Sequence, residues 1–532
     1  MPYYTDAWCN KGKMLYILKR YEEALAAYNR VLQIDDKCAV AYKGKGDTLG
    51  KLDRRQEALD FYERALQLKT GFAAAYNGKG NVLRDLQRYE EALGVYERAI
   101  EIDSDNATFH DNKGLALCNL SRYQEALAAH ERALHLDPSN VIFHKNKGFA
   151  LRKLKRNEEA LAAYERALQL APDSAPIHIN KADTLCELER KEEALAVYKR
   201  AIELDLSSMA AYIGKGNVLN ELHRNEEALM AYEYAIGLDG IPIAAYIGKG
   251  NVLNELHRNG EALVAFENAI ELDPASVAAY TGKGDALIEL RRNEEALAAY
   301  EDAIELDPGF ALAHNGIGNV LYNLKRYQEA LDAYESTLRL DPNNAIFHGN
   351  MGRVLYTLER NKEALVAYER AIQLSPHDAL AHFSKGNALW RLDRNVEALH
   401  AYERAIQLTP NFAVAYNNKG SALRCLNRNN EALVAYERAI QLNPNDPAFY
   451  NNKGLALYNL RRYEEALVAY KRAIQLNPGD ATAYNGMGNV FFGQKRYRKA
   501  IEAYNNAIER DPEETLFIGN RDNALKYLRR AQ

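Results

Sequence analysis

An all-α solenoid of stacked helix pairs is the fold predicted for this chain, on three observations. The 34 residues at 73–106, AAAYNGKGNVLRDLQRYEEALGVYERAIEIDSDN, recur with small changes throughout residues 5–514. Self-similarity at that period means one supersecondary unit stacked on copies of itself. Within each copy, apolar and small residues return at steps of three and four, as Leu93, Tyr96, Ala99 and Ile100 do, which marks a helix with one buried face. Proline follows the second helical stretch in ten copies, from Pro138 to Pro512, where it blocks continuation and sets the next turn.

Fifteen full repeats start at residues 5, 39, 73, 107, 141, 175, 209, 243, 277, 311, 345, 379, 413, 447 and 481. Each reads as an A helix over its first fourteen places (73–86 in the third repeat), a short turn (87–89) and a B helix (90–102). Residues 5–514 are expected to form one continuous solenoid domain and residues 515–532 a C-terminal capping helix. In that helix Leu516, Ile518, Leu525 and Leu528 are expected to cover repeat 15, with Arg521, Lys526, Arg529 and Arg530 in water. A solenoid is quasi-one-dimensional, so 532 residues do not imply several globular domains.

Composition narrows the function classes. The net charge of −5 opposes a protein-wide phosphate-binding surface, so nucleic acid is not an expected partner. Cys9, Cys38, Cys118, Cys186 and Cys425 form no C-x-x-C pair and read as reduced thiols of a cytoplasmic chain. No run approaches the eighteen apolar residues of a membrane span, so no membrane partner is expected. No P-loop, H-E-x-x-H or G-x-S-x-G occurs, and the GKGNVL runs lie inside the A helix after no strand. The chain is expected to be non-catalytic, without cofactor or metal.

Features that recur through the repeats are expected to hold the stack. Place 8 is Gly in fourteen repeats, with Ala182 the exception, and place 20 is Ala in all. Gly inside a helix costs roughly 1 kcal/mol relative to Ala. Its recurrence predicts two helix backbones too close for a larger side chain, with the Tyr at place 24 filling the space between repeats. Arg at place 16 and Glu at place 19 (Arg88 and Glu91, for instance) predict an Arg–Glu lattice between neighbouring repeats that also supports the start of the B helix.

Small residues at places 8, 20 and 27, aromatics at 4 and 24, Pro at 32 and the 34-residue period resemble the tetratricopeptide repeat family. The resemblance implies antiparallel helix pairs wound into a right-handed superhelix, with A helices lining a concave groove that binds a peptide or an extended protein segment. One departure is Lys at place 7 in twelve repeats, Lys11 through Lys453, read as long stems with wet tips, a continuous cationic ladder being the alternative. The family's carboxylate clamp for chaperone tails requires basic residues at places 2 and 6, which no repeat has.

Residues common to every repeat serve the stack, so binding is expected where repeats differ on groove-facing places. Place 6 carries Asn112, Asn146, Asn180, Asn418 and Asn452, whose amides donate and accept and could hold an extended backbone. Place 13 carries Glu187, Glu221, Glu255 and Glu289, a negative wall suited to a basic peptide. Place 12 carries Tyr322, Tyr356, Trp390, Tyr458 and Phe492, with Arg424 interrupting and Arg391 and Arg353 alongside. Exposed aromatics and Arg are common binding anchors, and this run is the leading candidate. Scattered basic residues (Lys43, Lys51, Arg84, Lys145, Arg152, Lys153) form a fourth pattern. The His residues at place 4, His110, His144, His178, His314, His348 and His382, read as part-buried replacements for the aromatic. An alternative role is the sensor or substrate-recruiting arm of a larger assembly; RNA binding ranks below both. Self-association through the N-terminal end, residues 1–4, is a further expectation.

Overall fold

In a computed structural model, residues 2–531 are described, as are side chains from Tyr4 onward. Among the described residues the chain forms thirty-one α-helices and no strand. The A helix of repeat 1 spans Pro2–Ile17, so helix begins ahead of the first repeat boundary. Met1, at the N-terminal end through which self-association is expected, lies outside the described residues. The chain groups into two compact bodies, Met1–Leu272 and Asp273–Gln532. Within each, consecutive helices pack in sequence order, pair upon pair.

Every repeat closes its A helix in one way. A non-glycine residue at place 15, from Lys19 to Lys495, has φ between 56° and 62°. In repeat 3 the Gln87 amide donates to the Arg84 carbonyl and the Arg88 amide to the Leu83 carbonyl, both at 2.9 Å. This paired closure satisfies carbonyls the helix end would orphan and turns the chain into the B helix.

The glycines have a different cause from the one expected. A Cβ on Gly80 would meet Cε1 of Tyr96 at 2.5 Å. The aromatic ring of the same repeat's B helix, not a second backbone, fills the space. Gly78, at place 6, is overlain by Tyr62 of the preceding repeat at 2.6 Å. Each place-24 ring is thus wedged between two successive A helices. Where place 9 is Asp or Asn and place 24 is Tyr, the hydroxyl donates to it: Tyr62 to Asp47 Oδ1 at 2.6 Å, Tyr96 to Asn81 at 2.7 Å, Tyr334 to Asn319 at 2.7 Å and Tyr402 to Asn387 at 2.9 Å. Burial first, and Asp47 second, hold the Tyr62 hydroxyl well above its ordinary value, so it remains a donor.

Two charged patterns also differ from expectation. Arg88 grips Glu91 of its own B helix with two parallel bonds of 2.7 Å, and the same clasp recurs from Arg20–Glu23 to Arg462–Glu465. A spacing of three places both groups on the first turn of one helix, so the pairing is local; contacts to the preceding repeat, such as Arg122 to Glu90 at 3.8 Å, are longer. The place-7 lysines are neither loose stems nor a free cationic ladder: Lys79 reaches Glu63 of the preceding repeat at 3.0 Å, Lys147 reaches Glu131 at 2.9 Å and Lys453 reaches Glu437 at 2.8 Å.

The terminal helix, Thr515–Ala531, buries Phe517 and Ala524. Leu516 remains 59% exposed, against expectation. The helix keeps the register of an A helix, whose buried faces fall at places 3 and 10, as Ala75 and Val82 do in repeat 3; Leu516 stands at place 2.

Candidate functional site

The 34-residue period returns place 12 to the same face of each successive A helix. In the second body the relevant helices are Ala311–Asn323, Ala345–Thr357, Ala379–Arg391, Ala413–Cys425, Pro447–Asn459 and Ala481–Gly493. They carry Tyr322, Tyr356, Trp390, Arg424, Tyr458 and Phe492 in turn.

Tyr356, Trp390 and Arg424 come together. With Asn387, Asn417, Asn418, Ser421, Asn452 and Tyr402 they enclose a cavity of about 360 Å³. Trp390 is 38% exposed. Arg391 lies over both neighbouring rings, 5.9 Å from the centroids of Tyr356 and Trp390, and its Nε donates to the Tyr356 hydroxyl at 3.3 Å. Tyr322 stands one helix earlier, with the Arg353 guanidinium 4.5 Å from its ring centroid and its hydroxyl 3.2 Å from Thr357 Oγ1. Tyr458 and Phe492 do not line the cavity. Tyr458 packs on Tyr463 at 6.0 Å, and Phe492 meets Tyr497 at 5.5 Å and Tyr527 of the terminal helix at 5.4 Å.

The asparagines serve the stack with half of their hydrogen-bonding capacity. The side-chain NH2 of Asn112 donates to Asn77 at 2.8 Å, that of Asn418 to Asn387 at 2.9 Å and that of Asn452 to Asn417 at 2.9 Å, each in the preceding repeat. Asn146 is buried and donates to both oxygens of Asp111, at 3.1 and 3.0 Å. Asn180 is half-buried. Asn112, Asn418 and Asn452 thus give one of their two N–H groups to the stack, and the Asn418 carbonyl also accepts from Asn417 at 3.2 Å.

The acidic run is not a uniform wall. Glu187 lies 3.8 Å from both Arg152 and Lys155, Glu221 pairs with Lys191 at 3.0 Å, and Glu255 accepts from Asn220 at 3.4 Å and Asn225 at 3.3 Å. Glu289, in the second body, is exposed. In the basic pattern, Lys43 is spent on Asp47 at 2.6 Å and Arg152 on Asp183 at 2.8 Å. Burial pulls the Arg152 guanidinium down, and the bond and charge of Asp183 outweigh it, leaving the group above its ordinary value.

The place-4 histidines close the turn between repeats. Nε2 of His144 lies 3.0 Å from the Pro138 carbonyl, and His178, His314, His348 and His382 repeat the bond to the proline six residues before. No cluster of His, Cys, Asp or Glu suited to a metal occurs among the described residues, and no helix among them is long and apolar enough to cross a membrane.

Sequence reasoning missed Asn387 and Asn417 as wall residues, and it missed the bond from the place-24 Tyr to an Asp or Asn at place 9. The second had a visible signal: Asp or Asn fifteen residues before a Tyr, recurring in most repeats.

Profiles described as tetratricopeptide repeat match residues 5–38, 39–71, 140–207, 179–240, 247–309, 281–345, 350–411, 401–434, 447–480 and 481–514. A further profile, described as TPR repeat, matches 80–121 and 420–460. No curated protein matches the chain. Similar solved structures include the APC/C hetero-tetramer Cut9-Hcn1, at 16% identity over 98% of this chain and 96% of that one, with a TM-score of 0.42. They also include YrrB, a TPR protein with an unusual peptide-binding site, at 32% identity over 36% of this chain and 97% of that one, TM-score 0.32. Naa15/Naa10 bound to HypK-THB matches at 14% identity over 99% and 97%, TM-score 0.36.

Proposed function

This chain belongs to the tetratricopeptide repeat family, and we propose that it is a non-catalytic interaction scaffold that holds an extended peptide segment against the A helices of its second body. Tandem repeats of this family make a protein-interaction architecture; the finer assignment rests on one observation. Tyr356, Trp390, Arg424, Asn418 and Asn452, from four successive A helices, converge on one cavity. A partly exposed indole beside an Arg and a Tyr makes a pairing of large apolar area with directed donors, the chemistry in which binding energy concentrates. The carbonyl oxygens of asparagines whose NH2 groups are engaged elsewhere can accept from a peptide's backbone amides.

The test is a random-peptide display selection on the full chain, followed by affinity measurement on the selected peptides. Tyr356→Ala combined with Trp390→Ala is expected to weaken them at least tenfold. Selected peptides that bind the double variant with undiminished affinity would place the site elsewhere.

A further inference from the structure

We propose that the cavity between Trp390 and Arg424 receives the carboxylate of an acidic residue in the bound peptide, with Arg424 as its counter-ion; this rests on the peptide-binding reading above and adds the ligand's charge.

The argument is internal to the repeat. Arg occupies place 12 three times, as Arg84, Arg152 and Arg424. Arg152 is answered from within: Asp183 at 2.8 Å and Glu187 at 3.8 Å, at places 9 and 13 of the following repeat, face it. Arg84 has its own neighbour Asp85 at 3.8 Å. In the repeat that follows Arg424 the same two places hold Leu455 and Asn459, so the carboxylates that answer Arg152 have no counterpart.

Among the described residues no carboxylate lines the cavity, and Arg424 is its one cation. Its Nε is shut off from solvent without a hydrogen-bond partner. The Tyr436 hydroxyl, hydrogen-bonded to Ser421 and to the Arg424 guanidinium, is kept above its ordinary value by burial against the pull of both, so the guanidinium's partner there is neutral and leaves its charge unanswered. Asn418 and Asn452 each give one N–H to Asn387 and Asn417, so the guanidinium is the wall's charged donor. A half-buried guanidinium with five donors and no acceptor attracts an anion more strongly than a fully hydrated one. One guanidinium balances one carboxylate. A phosphate, at −1.5 to −2, would call for a second cation in the wall, and Arg391 is not among the lining residues.

The experiment uses the full chain and an array of extended dodecapeptides on one fixed frame, each position carrying Glu, Gln, phosphoserine or Lys in turn. At one position Glu is expected to bind at least tenfold more tightly than Gln. Two variants are expected to erase that preference while still binding the Gln peptide. Arg424→Gln removes the cation. Leu455→Asp leaves Arg424 in place and supplies, from inside, the carboxylate that Asp183 gives Arg152. Helical circular dichroism of both variants, with Leu455→Asn as the uncharged control, reports the fold. Equal binding of Glu and Gln, a preference that survives Leu455→Asp, or phosphoserine exceeding Glu at the Arg424-dependent position would each overturn the proposal. Retention of peptides without acidic preference would overturn only this charge assignment, whereas an array with no retained peptide of any kind would overturn the peptide-binding reading with it.

Discussion

Arg152 in the first body and Arg424 in the second hold the same place of the same repeat, and only Arg152 has acids facing it, Asp183 and Glu187. Around Arg424 the wall is amide, hydroxyl and indole. The scaffold beneath is shared. Gly148 beside Arg152 is overlain by Tyr164 at 2.7 Å, and Gly420 beside Arg424 by Tyr436 at 2.6 Å. The difference in charge comes from two side chains of the following A helix, Asp183 and Glu187 against Leu455 and Asn459. A solenoid can therefore keep an Arg at one place of the repeat with or without a facing acid on the same glycine–tyrosine packing, because each repeat contacts chiefly its neighbours.

The comparison can be broken most forcefully from the first body. Asp183→Ala leaves Arg152 without its nearest acid and the Tyr198 hydroxyl, now 2.5 Å from Asp183, without its acceptor. Stranding two part-buried donors is expected to cost about 3 kcal/mol, read as a lower urea midpoint; an unchanged midpoint would mean that Arg152 needs its acid no more than Arg424 does. Next, Gly148→Ala and Gly420→Ala force a Cβ into equivalent tyrosine rings. Each is expected to destabilise by about 2 kcal/mol, overpacking outweighing the gain in helix propensity. Unequal losses in denaturant titrations would show that the two scaffolds are not the same. Trp390→Ala should weaken a selected peptide about tenfold, or 1.4 kcal/mol, with little change in melting, since the ring is 38% exposed.

The smallest effect is a reactivity contrast. Burial pushes the Cys186 thiol, in the first body, up to about 11. At pH 8 roughly one part in a thousand is thiolate, and alkylation should rise tenfold per pH unit toward pH 11. Because the folded value exceeds the unfolded one of about 8.5, the thiol's contribution to stability is intact below pH 8.5 and is lost as pH rises through 11. Cys425, adjacent to Arg424, is exposed and should react readily at pH 8, more slowly with a peptide bound. Mass spectrometry of alkylated protein measures both; fast labelling of Cys186 at pH 8 would contradict its burial.

Helix identity and the two turns of each repeat were legible because the signals are local and are stated fifteen times. The Arg88–Glu91 clasp was legible in principle, since a spacing of three within one helix fixes the partner, but it was assigned to the neighbouring repeat. The Lys79–Glu63 bridge was not legible: its partners lie sixteen residues apart on different helices, and their meeting depends on how the ridge of one helix sits against the next. At the site, the aromatic run was visible as a column of letters. Its division into Tyr356 and Trp390 at the cavity, and Tyr458 and Phe492 packed beside other rings, was not.

The sequence by itself determined the period, the helix pairs and the chemical character of each place, because those follow from local propensity and from a buried stripe returning every third or fourth residue. Only the tertiary structure decided which polar groups are already answered. Asn146, Lys79 and Arg152 find partners in a neighbouring repeat, while Arg424 Nε finds none. That outcome depends on distances across helices of a few ångströms, over which a hydrogen bond is either made or absent.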